Sequence, residues 1–511
     1  MTVDLPRRSG TLLHITSLPG GAYTGDLGPS AHAFADFLAK AGQGWWQTLP
    51  LNPIGDSDSP YSSISAFACE PLMISPEALV EDGLLNERGL RGLPTGSKTA
   101  KAEFIESKRV RSKLRIEAYR TFLERGSRDM QRSFREFRDR ERDWLDDYCV
   151  FITLRSRYGT ADWTTWPEDL ARRQPSVLSA VREESMDDID YFAFEQFLFD
   201  RQWQALRRHC KDRRVGIFGD VPMFVSHQSA DVWAHPEAFL LDANGRPRFV
   251  AGAPPDAFAA DGQRWGNALY DWEQHERTGF AWWKSRLRRQ LELFDLLRLD
   301  HFIGFARYWR IPSESETAMD GQWIDAPGHA FFDELTREHG ELPFIAEDLG
   351  AVSQEVWDLR DQYDLPGMKV LQFAFGGDPE NRVHHPEELP RKSVAFTGTH
   401  DSNTMLGWYR DLQRRAQSND ATAEAELQRV KSYFGTSRDV DVVDAAIRAL
   451  LASPADTVIV PLQDLLHLDE RHRMNRPGTT KGNWTWRLEQ GQLSHALATR
   501  LRALAEATGR L

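Results

Sequence analysis

Short apolar runs, rich in β-branched and aromatic residues and bounded by Gly, Pro or Asp, recur eight times along the chain. They fall at residues 11–17 (TLLHITS), 45–51 (WWQTLPL), 215–221 (VGIFGDV), 296–302 (LLRLDHF), 344–349 (FIAEDL), 368–375 (MKVLQFAF), 393–399 (SVAFTGT) and 457–462 (TVIVPL). Between most of them apolar positions repeat at helical spacing, as at 32–41, 194–209, 282–294, 330–339 and 421–434. Strand–helix alternation implies a parallel sheet, and eight repeats predict an α/β fold, a (β/α)8 TIM barrel. An open doubly wound sheet is the alternative that the pattern alone leaves.

The spacing is uneven. Residues 52–214 separate the second and third runs. Within them 99–158 is charge-rich and helical in period, as in EFIESKRVRSKLRIEAYRTFL at 103–123. So long a stretch needs packing of its own, which predicts a helical insertion. A second insertion, 226 to about 271, is rich in Pro, Gly and aromatics and weakly periodic. In a barrel such excursions follow the strands and stand at their C-terminal face, where active sites lie. The expected organisation is barrel start at 1–76, helical insertion at 77–190, the third-strand region at 191–225, a cleft-lining insertion at 226–290, and the rest of the barrel at 291–511.

Composition narrows the class. The 511 residues are 41% hydrophobic and 27% charged, values of a soluble globular protein. No apolar run is long enough to span a membrane, and MTVDLPRRSG lacks the apolar core of a secretion signal, so a cytoplasmic protein without membrane contact is expected. The formal net charge of −13 argues against a nucleic-acid partner. The basic runs at 108–109 and 138–142 sit among acids and read as solvated helix faces. Three cysteines, Cys69, Cys149 and Cys210, are far apart and form no CxxC, which argues against a zinc site or disulfide framework. Seventeen tryptophans suit both a large core and a sugar-binding cleft, where ring C–H faces pack on indoles.

The candidate chemistry sits at the strand ends. Runs three, four, five and seven end in Asp220, Asp300, Glu347–Asp348 and Asp401, with Arg298, His301 and His400 beside them. In a barrel these ends converge. A lone acid there is explained by helix capping; four together repel one another and are costly to desolvate, so stability does not favour them. Two chemistries suit the cluster. Glycosidic cleavage needs a carboxylate nucleophile and a carboxyl of raised pKa as acid, then base. Arg298, two residues before Asp300 on an extended strand, shares its face and would keep it ionised. A metal-dependent hydrolase would instead use His and Asp as ligands, but the chain has no strand-borne HxH, no HExxH and no EF-hand loop. His14 is lone and reads as a core or cleft histidine. GxGxxG, GxxxxGK[ST] and GxSxG are absent. No cofactor and no metal are expected.

Eight segments carry a resemblance. They are SPYSSISAFA (59–68), GDVPMFVSHQSADVWA (219–234), PPDAFAADGQRWGNALYDW (254–272), RLDHFIGF (298–305), AEDLG (346–350), GMKVLQFAF (367–375), TGTHDSNT (397–404) and RMNRPGTTKGNWTWR (473–487). In this order they resemble the 4-α-glucanotransferase family (amylomaltase, or disproportionating enzyme) of the α-amylase clan. The resemblance implies a barrel with inserted subdomains and a retaining double displacement on α-1,4-glucans. It makes Asp300 the nucleophile, Glu347 the general acid/base and Asp401 the transition-state stabiliser. Asp220, Arg298, His301 and His400 become a sugar-binding shell, with Tyr61 and Trp265 as aromatic subsite residues. Donor and acceptor would be maltodextrins, with glucose also an acceptor, and the protein a monomer or homodimer. An α-glucan hydrolase would share all three acids.

The chain departs from the family pattern in places. THDSN stands for the usual THDND, at Ser402 and Asn403. DHFIGFA stands for DHFRGFE, at Ile303 and Ala306. A PHNY-like stretch is replaced by HHPEEL at 384–389, and Ala257 replaces a large aromatic. No catalytic acid is lost, so the departures bear on subsite preference and acceptor choice.

Overall fold

The computed structural model describes residues 5–55, 57–91, 93, 101–255, 260–350 and 352–511. Eight parallel strands close a barrel. They are β1 (Arg8–Leu12), β2 (Trp45–Gln47), β3 (Gly216–Val221), β4 (Leu296–Leu299), β5 (Phe344–Ala346), β6 (Gly367–Val370), β7 (Ser393–Phe396) and β8 (Thr457–Pro461). Each pairs with its chain-order neighbours, and β8 pairs with β1 from Arg8↔Thr457 to Leu12↔Pro461. The (β/α)8 barrel expected from the pattern is thus present, and the open sheet is not. Strands covered by helices on one side and filled by side chains on the other are apolar throughout. Val458, Ile459 and Val460 are all buried.

Strand limits differ from the apolar runs in a consistent way. The first run, 11–17, overlaps a strand that begins three residues earlier, and Ile15–Ser17 forms a 3-10 turn. Leu13, Ile15 and Leu18 are buried all the same, so hydrophobicity continues where the ladder has stopped. The runs at 45–51, 296–302 and 393–399 likewise extend past β2, β4 and β7 into buried loop at the C-terminal face. Gly10 is required by the barrel itself: a Cβ there would lie 2.5 Å from Cβ of Trp45 on β2.

Helix limits were better marked. Ala421–Phe434 matches its expected range, with the Asp420 side chain accepting from the Ala423 N–H and Gly435 at φ 65° ending the helix. The insertion after β2 contains helices Phe104–Arg125, Arg128–Arg140 and Arg142–Tyr158, packed around Phe122, Phe134 and Phe197 against the long helix Met186–Asp212. That helix runs unbroken across residue 190 and delivers the chain to β3, so the boundary expected at 190–191 falls inside one element.

A second sheet was not foreseen. Four antiparallel strands lie in the order Gln263–Ala268, Phe249–Ala253, Arg307–Pro312, Gln322–Asp325. The first two belong to the excursion after β3 and the last two to one after β4, inside the segment read as plain barrel. This sheet has a small core of its own, Val250, Ile311 and Ala318. Among the described residues no helix is long and apolar enough to cross a membrane.

Candidate active site

Strand register brings the acids together. Asp220 on β3 lies opposite Arg298 on β4, and Leu299 lies opposite Ala346 on β5. Asp300 and Glu347 are therefore the next residues on adjacent strands. Their backbone N–H groups still donate to the preceding strand, Asp300 to the Val221 carbonyl (3.0 Å) and Glu347 to that of Leu299 (3.1 Å). Residues two apart on a strand share a face, which puts Arg298 and Asp300 on one side.

The buried Arg298 guanidinium organises the cluster. Its Nη1 donates to both Asp220 oxygens, at 2.8 and 2.9 Å. Its Nη2 lies 2.8 Å from Asp300 Oδ1 and 3.9 Å from Glu347 Oε2. Two carboxyls that share one nitrogen at these distances have those oxygens within about 7 Å of each other, which accommodates the roughly 5–5.5 Å of a retaining pair. Among the described residues Glu347 receives a single backbone donor, the His301 N–H at 2.7 Å. Burial, reinforced by the Asp300 charge, pushes Glu347 up to about 8 against the pull of Arg298 and of that N–H. The carboxyl is thus a protonated acid at neutral pH. Asp300 instead meets a permanent cation head on.

His301 sits at φ 49°, in the left-handed region, where its N–H points at Glu347 and its ring meets Trp265 edge to face at 4.9 Å. Burial lowers its pKa to about 4, so the imidazole is neutral. Its Nε2 has no partner among the described residues. Trp265 comes from the antiparallel sheet and is 38% exposed. The side sheet therefore hangs an aromatic over the barrel mouth.

Asp401 follows β7 across the mouth. Tyr61 forms the connection: its hydroxyl donates to Asp220 at 2.6 Å, and its ring stacks on His400 at 5.1 Å and 15°. Asp401 Oδ1 accepts from Asn475 Nδ2 at 2.7 Å, and its carbonyl accepts from Arg473 at 2.8 Å. All nine residues singled out from the sequence thus belong to one connected patch. Asn475 and Trp484, whose ring flanks both Tyr61 and His400, also belong to the patch; both lie in the 473–487 segment, where no spacing marks them as site residues. Among the described residues no group of three or more His, Cys, Asp or Glu is arranged to hold a metal.

Residues 13–493 match the family model described as 4-alpha-glucanotransferase. The chain belongs to the 4-alpha-glucanotransferase family. It is 44% identical over 512 residues to the 4-alpha-glucanotransferase of Thermus thermophilus, covering 100% of both chains. It is 40% identical to that of Streptococcus pneumoniae over 492 residues, covering 96% of this chain and 95% of the relative. Its fold matches an amylomaltase from Streptococcus agalactiae, solved in complex with acarbose, with TM-score 0.93, 32% identity and 99% of each chain covered.

Of the departures from the family pattern, Ser402 and His384 make side-chain contacts of their own. Ser402 accepts from the Thr399 N–H at 3.0 Å, and Thr399 Oγ1 accepts from the Asp401 N–H at 3.2 Å, so the serine tightens the Asp401 turn. The Asn403 carbonyl accepts from Gln372 at 2.7 Å. Ile303 is buried at the start of a one-turn helix, Ile303–Ala306, that follows Asp300 and His301 in the chain. His384 Nδ1 accepts from the Val370 N–H at the end of β6, and burial lowers that histidine to about 4. Ala257 lies outside the described residues.

Proposed function

We propose that this chain is a 4-α-glucanotransferase that moves a segment of an α-1,4-glucan to the 4-hydroxyl of a second glucan or of glucose. Family membership supports transfer over hydrolysis, and the observation that carries the retaining chemistry is the unequal treatment of two adjacent carboxyls by Arg298. Asp300 is paired with the cation at 2.8 Å, and Glu347, pushed to about 8, keeps its proton. One is equipped to attack, the other to protonate.

Glu347 gives its proton to the glycosidic oxygen as an Asp300 oxygen bonds to the anomeric carbon. The leaving chain departs with a free 4-hydroxyl. The acceptor 4-hydroxyl then surrenders its proton to Glu347 and attacks the same carbon, and the Asp300–sugar bond breaks. Two inversions give net retention. Asp401, held by Asn475, adds negative charge beside the oxocarbenium-like sugar. Neutral His301, its Nε2 unpartnered among the described residues, and His400 are placed to bond sugar hydroxyls, with Tyr61 and Trp265 as ring platforms. The antiparallel sheet, which brings Trp265 against His301, supplies a ring platform for an acceptor sugar at the mouth. The three cysteines are buried thiols, which suits a reducing cytoplasmic compartment.

Chromatography of products from pure maltotriose tests the reading. A ladder of longer and shorter maltodextrins plus glucose is expected. Release of reducing ends without redistribution of chain length would assign a hydrolase instead.

A further inference from the structure

A second hollow, of about 520 Å3, lies where the helical insertion meets the barrel wall, and none of the acid-cluster residues lines it. Its size is that of a ligand pocket. Helices Arg142–Tyr158 and Ala281–Leu293 form two of its sides. Phe67, Trp144 and Trp282 form an aromatic floor in which Trp144 is half-buried and the other two are buried beneath it: Phe67 lies near-parallel to Trp144 at 6.4 Å and edge to face with Trp282 at 5.9 Å. The Trp282 indole N–H is buried and has no acceptor among the described residues. Around this floor stand exposed side chains of both signs, among them Asp143, Glu237 and Arg288.

We infer that this groove is a second binding site for an α-1,4-glucan chain. An aromatic floor matches the C–H faces of pyranose rings. A rim of carboxylates and guanidinium groups matches hydroxyls, which donate and accept at once. The acids on the rim repel phosphate-bearing ligands. The ligand chemistry is thus an uncharged, hydroxyl-rich chain of rings; the choice of an α-glucan among such chains rests on the function proposed above. A long glucan held here stays tethered to the enzyme between turnovers, which raises its effective concentration for the acid cluster where its length spans the two sites.

Calorimetric titration of the Asp300→Asn protein with maltoheptaose tests the site. Two chains bound per protein are expected. Adding Ser285→Trp, which fills the groove from a half-buried position on the second helix, is expected to leave one. Adding Trp144→Ala instead should weaken one of the two sites by about tenfold. A single site in Asp300→Asn that neither groove substitution alters overturns this inference and leaves the proposed function standing; two sites that neither alters do the same. No binding in any variant overturns both. Sedimentation of the same proteins supplies a further contrary outcome: a dimer that Ser285→Trp dissociates without loss of a glucan site makes the groove an interface between copies.

Discussion

Arg298 holds Asp300 at 2.8 Å through Nη2 while its Nη1 sits on both oxygens of Asp220. One buried cation therefore compensates a set of carboxyls that would otherwise repel one another. Breaking a buried pair of this kind leaves uncompensated charge and costs about 3–5 kcal/mol. The guanidinium also opposes the burial that raises Glu347, so its loss drives that carboxyl higher still.

Arg298→Lys keeps the charge and loses the planar fork. A single ammonium cannot bond Asp220 twice and reach Asp300 as well. Maltotriose disproportionation is expected to fall by at least about 100-fold, with a lowered melting temperature. Near-normal turnover in Arg298→Lys would show that the fork is dispensable.

Asp300→Ala should abolish turnover, because among the described residues no other carboxylate stands on the same nitrogen at bonding distance. Glu347→Ala should lower it by about 10²–10⁴, the usual worth of a placed acid. Each variant is expected to stay folded by circular dichroism, since both side chains sit at the mouth and not in the barrel packing. Retained disproportionation in either variant removes the mechanism proposed for these residues.

The pH dependence follows from Glu347. The acid form is required, so kcat/KM should be level below about 8 and fall tenfold per unit above it. Stability takes the same sign. A carboxyl whose pKa is raised on folding, here from 4.5 to about 8, adds stability that is complete below 4.5 and is lost as pH climbs through 8. Urea midpoints measured from pH 5 to 9 should decline in the parent, and Glu347→Gln should remove that part of the decline.

The barrel was legible because its strands are buried on both faces and read as unbroken apolar runs. The antiparallel sheet was not, for the opposite reason. Gln263–Ala268 and Gln322–Asp325 are mostly half-buried or exposed and carry Gln, Arg, Asn and Asp, so no hydrophobic period marks them. The acids were legible by position: Asp220, Asp300, Glu347 and Asp401 each stand at the end of a run. Tyr61 and Trp265 lie on excursions, and no period points at the mouth; only the resemblance singled them out. Asn475 lies 74 residues beyond Asp401 and is an ordinary polar residue in a loop, so its contact exists only in three dimensions.

That contact makes the sharpest test of Asp401. The Asp401 side chain is 44% exposed, and among the described residues its one side-chain amide donor is Asn475 Nδ2, at 2.7 Å on Oδ1. His400 Nε2 lies farther from the same oxygen, at 3.4 Å. Asn475→Ala frees the carboxylate to swing away from the sugar while leaving its charge intact. If Asp401 acts by charge placed at the developing oxocarbenium, kcat should drop by about tenfold with little change in KM, because the lost interaction is made only in the transition state. Asn475→Asp, which sets a like charge against Asp401, should be worse than Ala, and Asn475→Gln should recover part of the loss. A change confined to KM would mean that Asp401 grips the ground-state sugar and does not stabilise the transition state.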